Sequence, residues 1–179
     1  MSDKKIVIKG KFIGYYSIDK LKKGSYDSYQ IHWDKIIIET FEKIDDYNVF
    51  YWRKYSDINI KLNCFKEGIK GLEKCLELND CSVEIYTALS DLLMFVGDFK
   101  AAFEVLILAQ DTYKNTAEIE YRLSGLSLVF NNEKEGLTHL LNGLKIDFNM
   151  HTILKDLFPS VLVNSKVKEL LYNYKKAME

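Results

Sequence analysis

Apolar residues recur along the middle of the chain at intervals of three and four. Ile85, Leu89, Leu92 and Val96 hold that spacing, and Phe99, Ala102, Leu106 and Ala109 take it up again after Gly97-Asp98. Such spacing marks one face of an amphipathic helix, and a Gly-Asp step between two apolar runs supplies a tight turn. The stretch therefore predicts two antiparallel helices joined by almost nothing.

The same pattern occurs three times. Phe65, Phe99 and Glu133 align, as do Gly68 with Ala102 and Gly136, Leu72 with Leu106 and Leu140, and Cys75 with Ala109 and Gly143. Each step is 34 residues with no insertion, which places repeat starts at Val49, Val83 and Ala117. The preceding halves fall into line on the same register. Trp52, Tyr86 and Glu120 hold position four, Ser56, Ser90 and Ser124 position eight, and Leu62, Val96 and Phe130 position fourteen. Small residues at positions eight, twenty and twenty-seven predict close helix–helix approach, where a larger side chain would overpack the contact.

A 34-residue helix–turn–helix of this pattern resembles the tetratricopeptide repeat (TPR). The resemblance covers residues 49 to about 150 and divides them into 49–82, 83–116 and 117–150. The fold it implies is all-α, a right-handed α-solenoid of antiparallel helix pairs. The sequence departs from the family in two respects. Asp80, Lys114 and Phe148 replace the proline near each repeat's end, and Glu120 and Glu133 replace aromatics in the third repeat.

The period fails on either side. Residues 1–48 read as a divergent helical hairpin, with residues 25–46 as its longer helix, using Ile31, Ile38 and Phe41 as an inner face, and YYSIDKLKK as its shorter partner. KIVIKGKFIG before it fits a short strand or an extended arm. Residues 151–179 read as capping helices, with Phe158-Pro159 ending one helix and Asn164-Ser165 starting the next. Such a cap covers the last apolar face of a stacked array, and a Phe-Pro step after the last repeat resembles the closing segments of some bacterial TPR proteins.

Composition narrows the choice of function. With 47% hydrophobic and 28% charged residues, and one proline among 179, the chain reads as folded helix with little linker. No stretch reaches the roughly 18–20 apolar residues of a membrane span, and the apolar run near the start is too short for a signal peptide, so a cytoplasmic location is expected. Cys64, Cys75 and Cys81 form no CxxC pair. Cys75 falls on a packing position and the other two in turns. His32, His139 and His151 lie far apart, and a zinc site from Cys64, Cys81 and His32 would have arbitrary spacing. With no nucleophile elbow, phosphate loop or metal-binding helix motif, no catalytic residue, metal or cofactor is expected.

The TPR resemblance implies a concave groove lined by positions two, five, nine, twelve and thirteen of each repeat. These are Phe50, Arg53, Asp57, Ile60 and Lys61; Glu84, Thr87, Asp91, Met94 and Phe95; and Glu118, Tyr121, Gly125, Leu128 and Val129. The carboxylate clamp that some family members use on chaperone tails would fall on Arg53, Asp57, Ala88, Glu118 and Arg122. Asp57 and Glu118 would repel a carboxylate, so a chaperone C-terminal tail is not expected. Four acids beside Met94, Phe95, Tyr121 and Leu128 suit a polypeptide with basic and apolar side chains. On a competing reading, the chain's own terminal segments cover that apolar wall. Self-association by helix stacking is a second use of the scaffold. The other functional class rests on residues 1–35, which carry eight lysines against four aspartates. Lysines interleaved with Phe12, Tyr15, Tyr16, Tyr26 and Tyr29 would suit nucleic acid or an anionic surface, though no RNA-binding motif accompanies them.

Overall fold

The computed structural model describes residues 4–8, 11–16 and 48–178, in two compact units, Met1–Gly68 and Ile69–Glu179. The longer helix expected over residues 25–46 lies outside the described residues, as do His32, Tyr26 and Tyr29.

In the first unit, strands β1 (Lys4–Ile8) and β2 (Lys11–Tyr16) pair antiparallel. Lys4 faces Tyr16 and Ile8 faces Lys11, while a shift between Ile6 and Val7 leaves Ile13 as the extra residue of a bulge. Tyr15 and Tyr16 thus belong to a strand. Helix α1 (Val49–Lys61) follows, capped at its start by the Asn48 side chain, and α2 (Phe65–Glu77) begins after a tight turn. Buried Ser56 donates its hydroxyl to the carbonyl of Gly68 at 2.8 Å, which holds the helix pair together at its small residues.

The second unit contains the complete helix pairs α3 (Val83–Phe95) with α4 (Phe99–Thr112), and α5 (Ala117–Val129) with α6 (Glu133–Ile146). Each pair packs together, and α4 packs on α5. Helices α1, α3 and α5 therefore start 34 residues apart. Beyond the β hairpin the described chain is all helical, and its architecture is an all-α solenoid.

The turns within the pairs share one device. Asn63, Gly97 and Asn131 adopt φ of 59°, 89° and 61°, the left-handed region that glycine and asparagine tolerate best. The following amide reaches back to close each helix, as in Asp98 N to Leu93 O at 2.9 Å and Asn132 N to Ser127 O at 2.8 Å, a Schellman closure. Asp98 then caps α4 through the amide of Ala101.

The packing is as tight as the small residues require. Ser90, Ser124, Ala102, Ala109 and Cys75 are fully buried. A Cβ at Gly136 would lie 2.6 Å from Leu128 Cγ, and one at Gly143 would lie 3.2 Å from the Tyr121 ring. Ser124 donates to the Gly136 carbonyl at 2.8 Å, as Ser56 does to Gly68.

The segment in which the sequence placed the capping helices, residues 151–179, packs on the last helix pair. A 3-10 turn (Phe148–His151), α7 (Thr152–Leu157), a second 3-10 segment (Pro159–Val163) and α8 (Ser165–Met178) follow. One period after α5, α7 packs on α5; one period after α6, α8 packs on α6. Leu154 and Val161 take positions four and eleven of this fourth unit and are buried. Its first helix is split because Phe158 stands where the other repeats have serine, and Pro159 removes a backbone donor and turns the preceding residue out of helical geometry, to φ −132° and ψ 54°. The Asn164 side chain accepts from the amides of Lys166 and Val167 and starts α8.

Candidate functional site

On α3, the position-two and position-thirteen residues, Glu84 and Phe95, reach solvent, and Met94 is half-buried. Phe95 is 70% exposed, as Phe50 on α1 is at 69%. Thr87, at position five, is buried, and its hydroxyl is spent on the carbonyls of Val83 and Glu84, so it offers nothing to a partner.

Asp91 is already paired. Arg122 Nε and Nη2 each donate to one Asp91 carboxylate oxygen at 2.8 Å, and Nη1 donates to the Glu118 carbonyl at 3.2 Å. This two-pronged contact ties the second repeat to the third and fixes both groups in one plane. It corrects the reading of Asp91 as a free acid in the groove. It also takes up Arg122, one of the two arginines suited to a carboxylate. Among the described residues, the side chains of Glu84 and Glu118 have no ion-pair partner.

On α5 the expected face is largely covered. Tyr121 is fully buried, its ring lies against Gly143, and its hydroxyl donates to the Asp147 carbonyl at 3.0 Å. Burial, with the Asp147 charge, pushes its phenol well above the ordinary range. Tyr121 is thus a core residue and not an anchor across the groove. Half-buried Leu128 packs over Gly136 between α5 and α6. Gly125 lies under the ring of Phe158, so the C-terminal segment covers this part of the face.

In the first unit, Phe50 is 69% exposed with the Lys54 ammonium 5.8 Å from its ring centre, while Arg53 is half-buried and Asp57 exposed.

Sequence reasoning missed a buried polar cluster. Glu120 is only 6% exposed, and its carboxylate takes hydrogen bonds from Gln110 Nε2 at 2.7 Å, His139 Nδ1 at 2.8 Å and Asn142 Nδ2 at 3.3 Å. Burial pushes this carboxyl up, but the bonds from His139 and Gln110, the His139 charge and the Asn142 bond outweigh it and leave the carboxyl below its ordinary value. His139 Nε2 lies 3.9 Å from Glu135. The cluster joins α4, α5 and α6 at the place where the first two repeats bury Trp52 and Tyr86. The clue was a paired departure, an acid for the aromatic at position four and a histidine on the helix behind it. Among the described residues, no group of His, Cys, Asp and Glu is arranged to hold a metal, and no helix is long and apolar enough to cross a membrane.

No protein-family model matches the chain, and no curated protein matches it in sequence. Its fold does match solved structures of MamA, a TPR-like protein. One crystal structure of MamA has a TM-score of 0.60 at 18% identity, covering 92% of this chain and 98% of that one. The structure described as MamA MSR-1 C2 has a TM-score of 0.57 at 14% identity, covering 70% of this chain and 72% of that one. A MamA point mutant has a TM-score of 0.56 at 16% identity, covering 74% of this chain and 81% of that one. With helix pairs on a 34-residue period, small residues at the three close approaches and these likenesses, the chain is a TPR-type repeat protein in fold.

Proposed function

We propose that the protein is a non-catalytic cytoplasmic module that binds another polypeptide on the groove face of its first helices, with α3 as the working surface. The observation that carries this reading is the groove face of α3, where Phe95 is 70% exposed and Glu84 reaches solvent beside half-buried Met94, on a helix whose other face is well packed. Binding hot spots are commonly aromatic side chains that a partner desolvates. Glu84 and Glu118, unpaired among the described residues, favour a partner that combines apolar anchors with Lys or Arg. A carboxylate tail would have to break the Asp91–Arg122 pair to reach Arg122, which disfavours a chaperone C-terminal tail.

Capture from native cell extract by the immobilised full chain tests the proposal, with wild type, Phe95→Ala and Glu84→Lys compared side by side. A defined protein retained by wild type should be lost from the Phe95→Ala chain. Glu84→Lys should weaken capture more at low salt than at high salt, because exposed charges are screened beyond about 8–10 Å at moderate ionic strength. Equal capture by all three chains would place the working surface elsewhere. The first place to look would be the lysine-rich residues 1–35, with RNA, DNA and anionic vesicles as probes.

A further inference from the structure

Position nine of the repeats holds Asp57, Asp91 and then Gly125. Only at the third does the helix surface lack a side chain, and there Phe158 fills the space. A Cβ at residue 125 would lie 2.5 Å from Phe158 Cγ and Cε2, closer than real side chains approach, so the fit depends on glycine. Leu154, four residues before Phe158, and Val161, three after, are 0% and 6% exposed. The segments carrying them pack on α5. All three are buried against α5 from one short segment, although its backbone leaves helical geometry at Phe158, and a groove that takes several apolar side chains from one segment is a common way of receiving a peptide. Here the peptide is the chain's own.

The segment carrying these residues is weakly structured by itself. It is a six-residue helix between 3-10 stretches of four and five residues, interrupted at Phe158-Pro159. Isolated helices shorter than about 12–15 residues are marginal in water, so docking is what holds this one in shape. Nor is the face fully sealed. A cavity of about 310 Å³ opens beside Val161, lined by Leu128, Val129, Ser160 and Asn164.

We propose that residues 154–161 are a resident ligand. In this account the Gly125 face of α5 is a peptide site for an aromatic residue flanked by aliphatic residues four before and three after. The chain closes the site in cis, and a partner segment of the same pattern opens it by displacement. The proposal rests on the reading of this face as a polypeptide-binding surface and adds to it the partner's pattern and a means of control.

The test uses the full chain carrying Leu154→Ala and Phe158→Ala, and a fluorescent synthetic peptide of residues 151–164 (HTILKDLFPSVLVN). The emptied chain should bind the peptide saturably. Wild type should bind it at least about tenfold more weakly, since only its open fraction is competent. Gly125→Leu added to the emptied chain should abolish binding, as should alanine in the peptide at the Phe158 place. No binding to the emptied chain, or equal binding with Gly125→Leu, overturns the proposal. Should the emptied chain lose its helical circular dichroism, hydrogen exchange on wild type decides instead. Amides of residues 154–163 should then exchange through a local opening that leaves α5 and α6 protected, and exchange only together with α5 and α6 overturns the proposal. Partner capture lost with Phe95→Ala but no peptide binding would refute the resident ligand alone. Peptide binding with capture unchanged by Phe95→Ala would refute the α3 surface alone.

Discussion

His139→Leu isolates the energetics of the buried cluster. It removes one of three hydrogen bonds to a carboxylate that is 6% exposed and leaves Gln110 and Asn142 in place. Leaving a buried ionised carboxylate short of a hydrogen-bond donor typically costs about 1–3 kcal/mol or more. The carboxylate has one escape, which is to take up a proton. From its ordinary value of 4.5, protonation at pH 7 costs about 3 kcal/mol, at about 1.4 kcal/mol per pH unit. The two retained bonds reduce the loss, so about 2–3 kcal/mol is expected. With a urea m-value of about 2 kcal/mol/M, the midpoint followed by circular dichroism should fall by about 1 M or more. Glu120→Met together with His139→Leu should return to within about 1 kcal/mol of wild type, because an apolar pair of similar volume replaces a desolvated polar one and half-buried Gln110 and Asn142 can turn to water. The pH dependence has a definite sign. Because the folded value of Glu120 is lowered, its contribution is complete above 4.5 and is lost as pH falls through the lowered value. The double variant should lack that part of the acid sensitivity. A double variant that loses the sum of the two single losses would refute the reasoning.

Three further outcomes follow from the packing. Ala102→Leu, at a fully buried approach, should cost about 1–3 kcal/mol by overpacking. Lys100→Ala, which loses only an exposed contact to Glu104, should cost under about 0.5 kcal/mol; equal melting shifts would contradict the repeat register. Tyr121→Ala should destabilise by about 3–5 kcal/mol, and clearly more than Phe95→Ala at a side chain 70% exposed; the reverse order would restore Tyr121 to the surface. Deleting residues 165–179 should uncover the face of α6 on which α8 packs and cause association or loss of cooperative unfolding; a monomer with an unaltered transition would refute the capping role.

The repeat was legible because its physics is local. Helical spacing, left-handed turn residues and small residues at fixed intervals all lie within 34 positions, so three copies could be compared directly. What was not legible depended on contacts between repeats. Tyr121 sits at a position that faces the groove in an open array, but the fourth unit packs over α5 and the carbonyl of Asp147 receives its hydroxyl. Asp91 read as free because its partner, Arg122, lies 31 residues on, on the next repeat's first helix. The packing of residues 151–167 was hidden by Phe158-Pro159, which breaks the helical spacing although Leu154, Val161 and Val167 are all buried. Glu120 stood out only as a missing aromatic. Its meaning needed His139 from the helix behind.

Site-specific photo-cross-linking tests the binding surface most directly. A benzophenone side chain placed at residue 95 on α3, and for comparison at residue 108 on α4, probes two positions whose native side chains are 70% and 59% exposed. General stickiness should therefore be similar at the two. In native cell extract, the account predicts a discrete polypeptide adduct from residue 95 and none of that mass from residue 108. An adduct from residue 108 alone, or the same adduct from both positions, would contradict the assignment of α3's groove face as the working surface.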